Sequence, residues 1–206
     1  PNNKEESDVS RSMYLVDPKK AGVKIIKTRM IDSRSYCEII FDKVKVKEED
    51  RLGEQNVVGI IDDVLERVQI GISAEMLGNA LEAFDQTIQY LKDRKQFGKP
   101  IGSFQALQHR AAHMFSELEL TKSSVQGALN AIDENSNDKS RYASLAKFKA
   151  GETLNLVSNE AVQMHGGVGV TDEFDIGFFL KRARVAEQIF GSSDYHLDRY
   201  AVLSEY

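Results

Sequence analysis

From about Val58 onward, apolar residues recur at helical spacing. Val64, Val68, Ile72, Leu77, Leu81, Phe84, Ile88 and Leu91 fall three, four or five positions apart. That stripe predicts a long amphipathic helix, ended by Gly98, Pro100 and Gly102. Gly71 and Gly78 interrupt it, and each is read as a site of close helix packing at a propensity cost of about 1 kcal/mol. A second helix is predicted over 104–132, with the polar run Asp-Glu-Asn-Ser-Asn-Asp at 133–138 as an interhelical turn. A third covers about 140–164 and is closed by Gly166-Gly167. A fourth runs from near Phe174 to Ile189, opened by Thr171-Asp172-Glu173 with its carboxylates toward the helix N-terminus. Gly191-Ser192-Ser193 then separates a short last helix ending near Tyr206. Before Val58 the pattern is β-like, with segments at 13–16, 23–28, 35–41 and 44–46. Asp17-Pro18 and Ala21-Gly22 supply turn chemistry between them. Glu38–Phe41 alternates too little for a fully solvated strand and is expected to be half-buried.

These elements predict an α+β chain: a partial antiparallel β-domain over 1–56, then an antiparallel four-helix bundle with a short terminal helix over 57–206. So few strands make only part of a sheet, so some of its edge is expected to pair with something outside this chain. Residues 1–11 are polar and charged and are expected to be flexible.

Composition narrows the function. With 206 residues, 41% hydrophobic and 29% charged, the chain can bury a substantial core. No apolar run is long enough for a transmembrane helix, and the opening residues lack a secretory h-region. The net charge of -5, with no basic block longer than Lys181–Arg184, argues against nucleic acid as a partner. Cys37 is the single cysteine, which fits the cytoplasm or another reducing intracellular compartment. His109 and His113 are spaced i,i+4, but Arg-Ala-Ala lies between them and no metal-binding pattern results. His165 and His196 have no ligand spacing with Cys37, so no metal site is expected.

Two segments carry candidate chemistry. Arg94–Gln105 reads R-K-Q-F-G-K-P-I-G-S-F-Q, and Gln163–Val170 reads Q-M-H-G-G-V-G-V. The Arg94 guanidinium can hold a pyrophosphate through two parallel bonds, or simply interact with the end of the helix that precedes it. Phe97 can stack on a flat ring or fill the core. Gly166-Gly167 can be a plain helix stop, or a place where positive φ is cheap and a ligand approaches backbone N–H groups.

In order and separation, the two segments resemble the C-terminal half of an acyl-CoA dehydrogenase, a FAD-dependent flavoprotein. The resemblance covers about residues 13–206, including the strands around Ile39–Lys47. Arg94, Phe97 and Gly98 match the family's R-x-x-F-G motif, which binds the FAD of the neighbouring subunit, and Gln105 matches a glutamine after that loop. Gln163, Gly166 and Gly167 match the segment near the adenosine and pyrophosphate of the same cofactor. The resemblance further implies removal of an α-proton from an acyl-CoA thioester by a glutamate, while the β-hydrogen leaves as hydride to the flavin. Many members carry that glutamate directly before a glycine after the fourth bundle helix. Here Phe190 stands at that position, before Gly191, and phenylalanine cannot take a proton. Isovaleryl- and long-chain-like members place the base on the first bundle helix, before an arginine, and Glu66-Arg67 occupies that place. Taken by itself, Glu66 would read as a solvated helix glutamate. The resemblance makes it the expected base, with Arg67 supporting the active site or the flavin region. A backbone N–H near Phe190 and Gly191 is expected to bind the thioester oxygen, and Ser192 and Asp194 fall where the family approaches the flavin. Glu187 lies almost a full helical turn before Phe190 and is not taken as a substitute base.

A complete family member also has a preceding helical domain and the first half of the β-domain. The chain is therefore expected to be part of a larger protein or of a split enzyme. The implied partners are an acyl-CoA substrate, an electron-transfer flavoprotein or other electron acceptor, and further copies in a dimer of dimers, or a second chain in a hetero-oligomer. The rival readings are a noncatalytic or split-enzyme subunit that contributes FAD-binding and oligomer contacts, and an acyl-CoA oxidase.

Overall fold

The computed structural model describes residues 11–53 and 56–206. The expectation of flexibility for residues 1–11 therefore lies, for residues 1–10, outside the described residues. The chain divides into two compact units, residues 1–65 and 66–206.

In the first unit, β1 (Met13–Tyr14) pairs antiparallel with β4 (Arg51–Leu52), and β2 (Val23–Arg29) with β3 (Ser35–Phe41). The β2–β3 register runs from Val23 opposite Phe41 to Arg29 opposite Ser35. Gly22 is required at the mouth of this ribbon. Its φ is +90°, and a Cβ there would meet the carbonyl oxygen of Asp42 at 2.3 Å. Three expectations change here. The strand expected at 44–46 is absent: Lys43 adopts φ +50° and turns the chain away after β3. The 13–16 segment pairs only through Tyr14, followed by one bond from Leu15 N–H to the Asp50 carbonyl. All of β3 is exposed rather than half-buried, because among the described residues the β2–β3 ladder has two strands and leaves the side chains of β3 open.

The helical part consists of α1 (Val58–Asp93), α2 (Gln105–Asp133), α3 (Lys139–His165), α4 (Ile176–Gln188) and α5 (Ser193–Leu203). Its core joins Ile72, Met76, Ala80, Ala83 and Leu91 of α1 to Met114 and Leu118 of α2, Leu154 and Val157 of α3, and Ala183 and Ala186 of α4. The buried line on α1 therefore passes through small residues, while Leu77, Leu81, Phe84 and Ile88 flank it, partly buried. Alanines at the centre let the helix axes approach, and the larger side chains close the seams.

The glycines assigned to close packing are not the ones that provide it. Nothing lies within 4 Å of a Cβ built on Gly71 or Gly78. On Gly151 of α3, a Cβ would meet the Ser193 hydroxyl at 2.6 Å, so this glycine admits the start of α5. The fourth helix begins later than expected, at Ile176, with Asp175 as its N-cap and no acidic residue in its first turn. Ion pairs tie helices together, among them Arg110 with Glu160 between α2 and α3 at 3.2 Å. Arg182 Nε donates to Glu75 Oε1 at 2.8 Å between α4 and α1, and Lys149 pairs with Glu117 between α3 and α2. No helix of the described residues is long and apolar enough to cross a membrane.

Candidate functional site

The chain between α1 and α2 is a small hairpin rather than a plain loop. β5 (Lys95–Gln96) pairs with β6 (Lys99–Pro100), leaving Phe97 and Gly98 as a two-residue turn. Both are left-handed, with φ +53° and +77°. Tight hairpins favour positive φ at both central positions. Glycine adopts it freely, whereas phenylalanine does so at a cost of about 1–2 kcal/mol. The turn presents the Phe97 ring with 90% of its surface exposed, touched edge-on by Phe104 at 6.0 Å between centroids.

Arg94 follows the end of α1 and is exposed. Its carbonyl accepts from Ile101 N–H at 2.8 Å, which fixes the base of the hairpin. The diglycine segment meets this region. Tyr90 stacks on His165 with centroids 4.2 Å apart, and its hydroxyl donates to the His165 carbonyl at 3.3 Å. Phe174 closes edge-on against both rings. Together with Gln86, Gln89, Asp93 and Arg94 they line a groove of about 470 Å³. Burial pushes the His165 imidazole below its usual value. Its Nδ1 faces the Ala161 carbonyl at 2.8 Å, which requires the proton on that nitrogen. Gly166 has φ +66°, and open space surrounds the Cβ position of both Gly166 and Gly167. Gln163 is exposed on the last turn of α3, and Gln105 is exposed at the start of α2. The Arg94 segment and the diglycine segment thus converge. Ser192 and Asp194 do not line this groove; the Ser192 hydroxyl accepts from Tyr195 N–H as the N-cap of α5.

A second, buried cluster surrounds Glu66. Only 4% of this residue is exposed, against the solvated position that an isolated helix glutamate would take. Ser140 Oγ donates to Glu66 Oε1, and Arg199 Nη2 donates to the same oxygen at 3.3 Å. Glu66 Oε2 is buried and has no hydrogen-bond partner among the described residues. Arg67, one position along the helix, is exposed on the adjoining face.

The same cluster holds the turn at Phe190. Gln69, one helical turn beyond Glu66, donates to the Phe190 carbonyl at 3.4 Å, and His196 Nε2 donates to it at 2.9 Å. The His196 proton must therefore sit on Nε2, which leaves Nδ1 to face Ser144 Oγ at 3.4 Å. Burial pushes the pKa of His196 down to about 4, so the ring is neutral near pH 7. Lys147, fully buried, donates to the carbonyls of Glu187 at 3.0 Å and of Gly191 at 2.9 Å. Burial lowers its pKa to about 8, with Glu187 acting in the opposite sense. These bonds hold Phe190 and Gly191 at φ +59° and +107°. Phe190 is 45% exposed and brings no ionisable group. Glu187 faces the Ser193 amide at 3.4 Å instead of the Glu66 carboxylate.

Sequence reasoning did not find Arg199, Ser140, Ser144, Lys147 or Gln69, and it weighed His196 only as a metal ligand. Lys147 left one signal: it lies in helical phase with the buried residues Ala143, Ala150 and Leu154. No group of His, Cys, Asp and Glu capable of holding a metal occurs among the described residues.

Residues 59–202 match the acyl-CoA dehydrogenase C-terminal domain, and the chain belongs to the acyl-CoA dehydrogenase family. It is 32% identical over 196 residues to the mitochondrial short/branched chain specific acyl-CoA dehydrogenase of Bos taurus, a match covering 91% of this chain and 44% of that protein. It is 36% identical over 187 residues to the caffeyl-CoA reductase-Etf complex subunit CarC of Acetobacterium woodii, covering 88% of this chain and 49% of the relative. Among solved structures, the glutaryl-coenzyme A dehydrogenase complex with glutaryl-CoA superposes with a TM-score of 0.88 at 28% identity, over 94% of this chain and 50% of that one. The chain spans about half the length of the relatives it matches.

Proposed function

We propose that the protein to which this chain belongs is a FAD-dependent oxidoreductase acting on the α,β-bond of an acyl-CoA thioester, with Glu66 as the base for the α-proton. The observation that carries the reading is the Glu66 carboxylate itself: buried, held at Oε1 and unpaired at Oε2, beside a turn whose Phe190 offers no carboxylate. A base of this kind must be desolvated and fixed, yet keep one oxygen available. Bound FAD would supply the hydride acceptor. Arg94 would hold the pyrophosphate of a neighbouring subunit's FAD, Phe97 and Gly98 would contact that cofactor with Gln105 nearby, and Gln163, Gly166 and Gly167 would lie near its adenosine and pyrophosphate. The exposed ring of Phe97, the open Cβ space at the diglycine and the exposed Arg94 beside the groove fit such a group. Arg67, Gly191, Ser192 and Asp194 would lie toward the reacting end.

Similarity to a caffeyl-CoA reductase subunit supports the same chemistry in either direction, since a base that removes an α-proton also returns it. An electron-transfer flavoprotein is the proposed electron partner, in keeping with the Etf complex in that relative's name.

The test is anaerobic addition of acyl-CoAs of graded length to the whole flavin-loaded protein. Bleaching of the flavin band is expected. If no acyl-CoA bleaches the flavin and no enoyl-CoA reoxidises the reduced protein, the noncatalytic subunit reading replaces this one. Rapid oxygen consumption during turnover would instead identify an oxidase. In the same preparation, Arg94→Met is expected to weaken flavin retention about 10–100-fold, the loss of one or two charge-assisted bonds. Equilibrium dialysis against FAD measures it, with Arg94→Lys falling between.

A further inference from the structure

We propose that Arg199, aided by Ser140, is the positioning residue for Glu66, fixing one carboxylate oxygen so that the other is presented as proton acceptor. This inference rests on the reading of Glu66 as the base.

The geometry is specific. Arg199 Nη1 donates to the Ser140 carbonyl at 3.2 Å and to Ser144 Oγ at 2.8 Å. Its Nη2 is thereby aimed at Glu66 Oε1, where Ser140 Oγ also donates. Two donors converge on Oε1, and none of the described residues reaches the buried Oε2. With two donors on Oε1, the free lone pairs of Oε2 are the ones left to accept a proton. A lysine in this place would supply charge without the fork that spans Ser140, Ser144 and Glu66.

The orientation of Arg199 reaches back to the Phe190 turn. Because His196 keeps its proton on Nε2 for the Phe190 carbonyl, Ser144 donates toward His196 Nδ1 and keeps a lone pair for Arg199. One chain of bonds therefore joins the Phe190 backbone, His196, Ser144 and Arg199 to the Glu66 carboxylate. No part of this chain was legible around Glu66 in the sequence, because Arg199 lies on α5 and Ser140 and Ser144 on α3.

The experiment separates proton removal from hydride transfer. The whole flavin-loaded protein is incubated in D₂O with an acyl-CoA whose β-methylene is replaced by sulfur. This probe can exchange its α-protons but cannot lose a β-hydride, and mass spectrometry reads the deuterium taken up. Arg199→Met is expected to slow exchange about 10–100-fold, the loss of a charge-assisted contact. KM for a normal acyl-CoA should stay within about threefold while kcat falls, the pattern of an interaction that matters in the transition state. Arg199→Lys should recover part of the exchange. Flavin content and the thermal midpoint report whether each variant folds. If Arg199→Met does not fold, Ser140→Ala replaces it, with exchange slowed about 3–10-fold for the loss of one neutral donor. Glu66→Gln is the reference. Exchange abolished in Glu66→Gln but unchanged in folded Arg199→Met and in Ser140→Ala overturns the positioning role and leaves Glu66 as base. Exchange retained in Glu66→Gln removes the base itself, and the inference falls with it.

Discussion

Glu66→Gln is expected to lower the rate of flavin reduction by acyl-CoA about 10²–10⁴-fold, the range a positioned general base contributes, while the flavin stays bound. Stopped-flow absorbance under anaerobic conditions measures the rate, and the flavin-to-protein absorbance ratio measures retention. Glutamine has nearly the size of glutamate, and its amide oxygen can still accept from Ser140 and Arg199, so the buried cluster keeps its shape. What is lost is the charge and the basic lone pair at the position of Oε2. Arg199 retains its bonds to Ser140 and Ser144 and is not left isolated. A rate within about threefold of the parent, a change too small to represent loss of a base, would remove Glu66 from the mechanism. Adding Phe190→Glu to Glu66→Gln tests the geometry from the other side. It places a carboxylate at the alternative family position and should restore part of the rate.

The second large effect concerns stability. His196→Ala is expected to cost about 2–4 kcal/mol at pH 7.5, because it opens a cavity at a fully buried site and removes the shorter of two bonds to the Phe190 carbonyl. His196→Gln, which can still donate to that carbonyl, should cost less. The pH dependence has a definite sign. His196 titrates near 4 in the folded chain instead of the usual 6.5, so the unfolded chain binds more protons between those values. Its contribution, about 3 kcal/mol from that difference, is fully present above pH 6.5 and is lost as pH falls toward 4. The parent should therefore lose stability across this window faster than His196→Gln does. Urea unfolding of both proteins at pH 7.5, 5.5 and 4.5 checks it. Parallel loss in the two proteins would show that His196 is not the group responsible.

The helices were legible because large apolar residues and glycine-rich breaks mark them. The second and third helices lie within one residue of their expected bounds. The packing centre was less legible. Leu77, Leu81, Phe84 and Ile88 carried the periodic signal, yet Met76, Ala80 and Ala83 beside them are among the fully buried residues. Hydrophobic size marks a face, but close approach of helices is set by small side chains. The β-segment was legible as strands and misjudged in burial, because exposure depends on what a sheet packs against and Glu38–Phe41 carries no record of that. Around the candidate site, Arg94, Phe97 and the diglycine were singled out through motifs, and the groove brings Arg94 and His165 of the two segments together. The burial of Glu66 was not legible from Leu65 or Val68. Its partners Ser140 and Arg199 are near only after folding.

The hairpin tip at Phe97 sets two selections against each other. Asparagine or glycine there would adopt φ +53° with less strain, and the ring they replace covers little of this chain. Random variants sorted only for resistance to heat or protease, without added flavin, should therefore drift away from phenylalanine at this position. Sorting the same library for flavin retention should draw it back. Comparing residue frequencies at position 97 in the two pools would weigh the ring's binding role against its conformational burden, without a purified variant in hand.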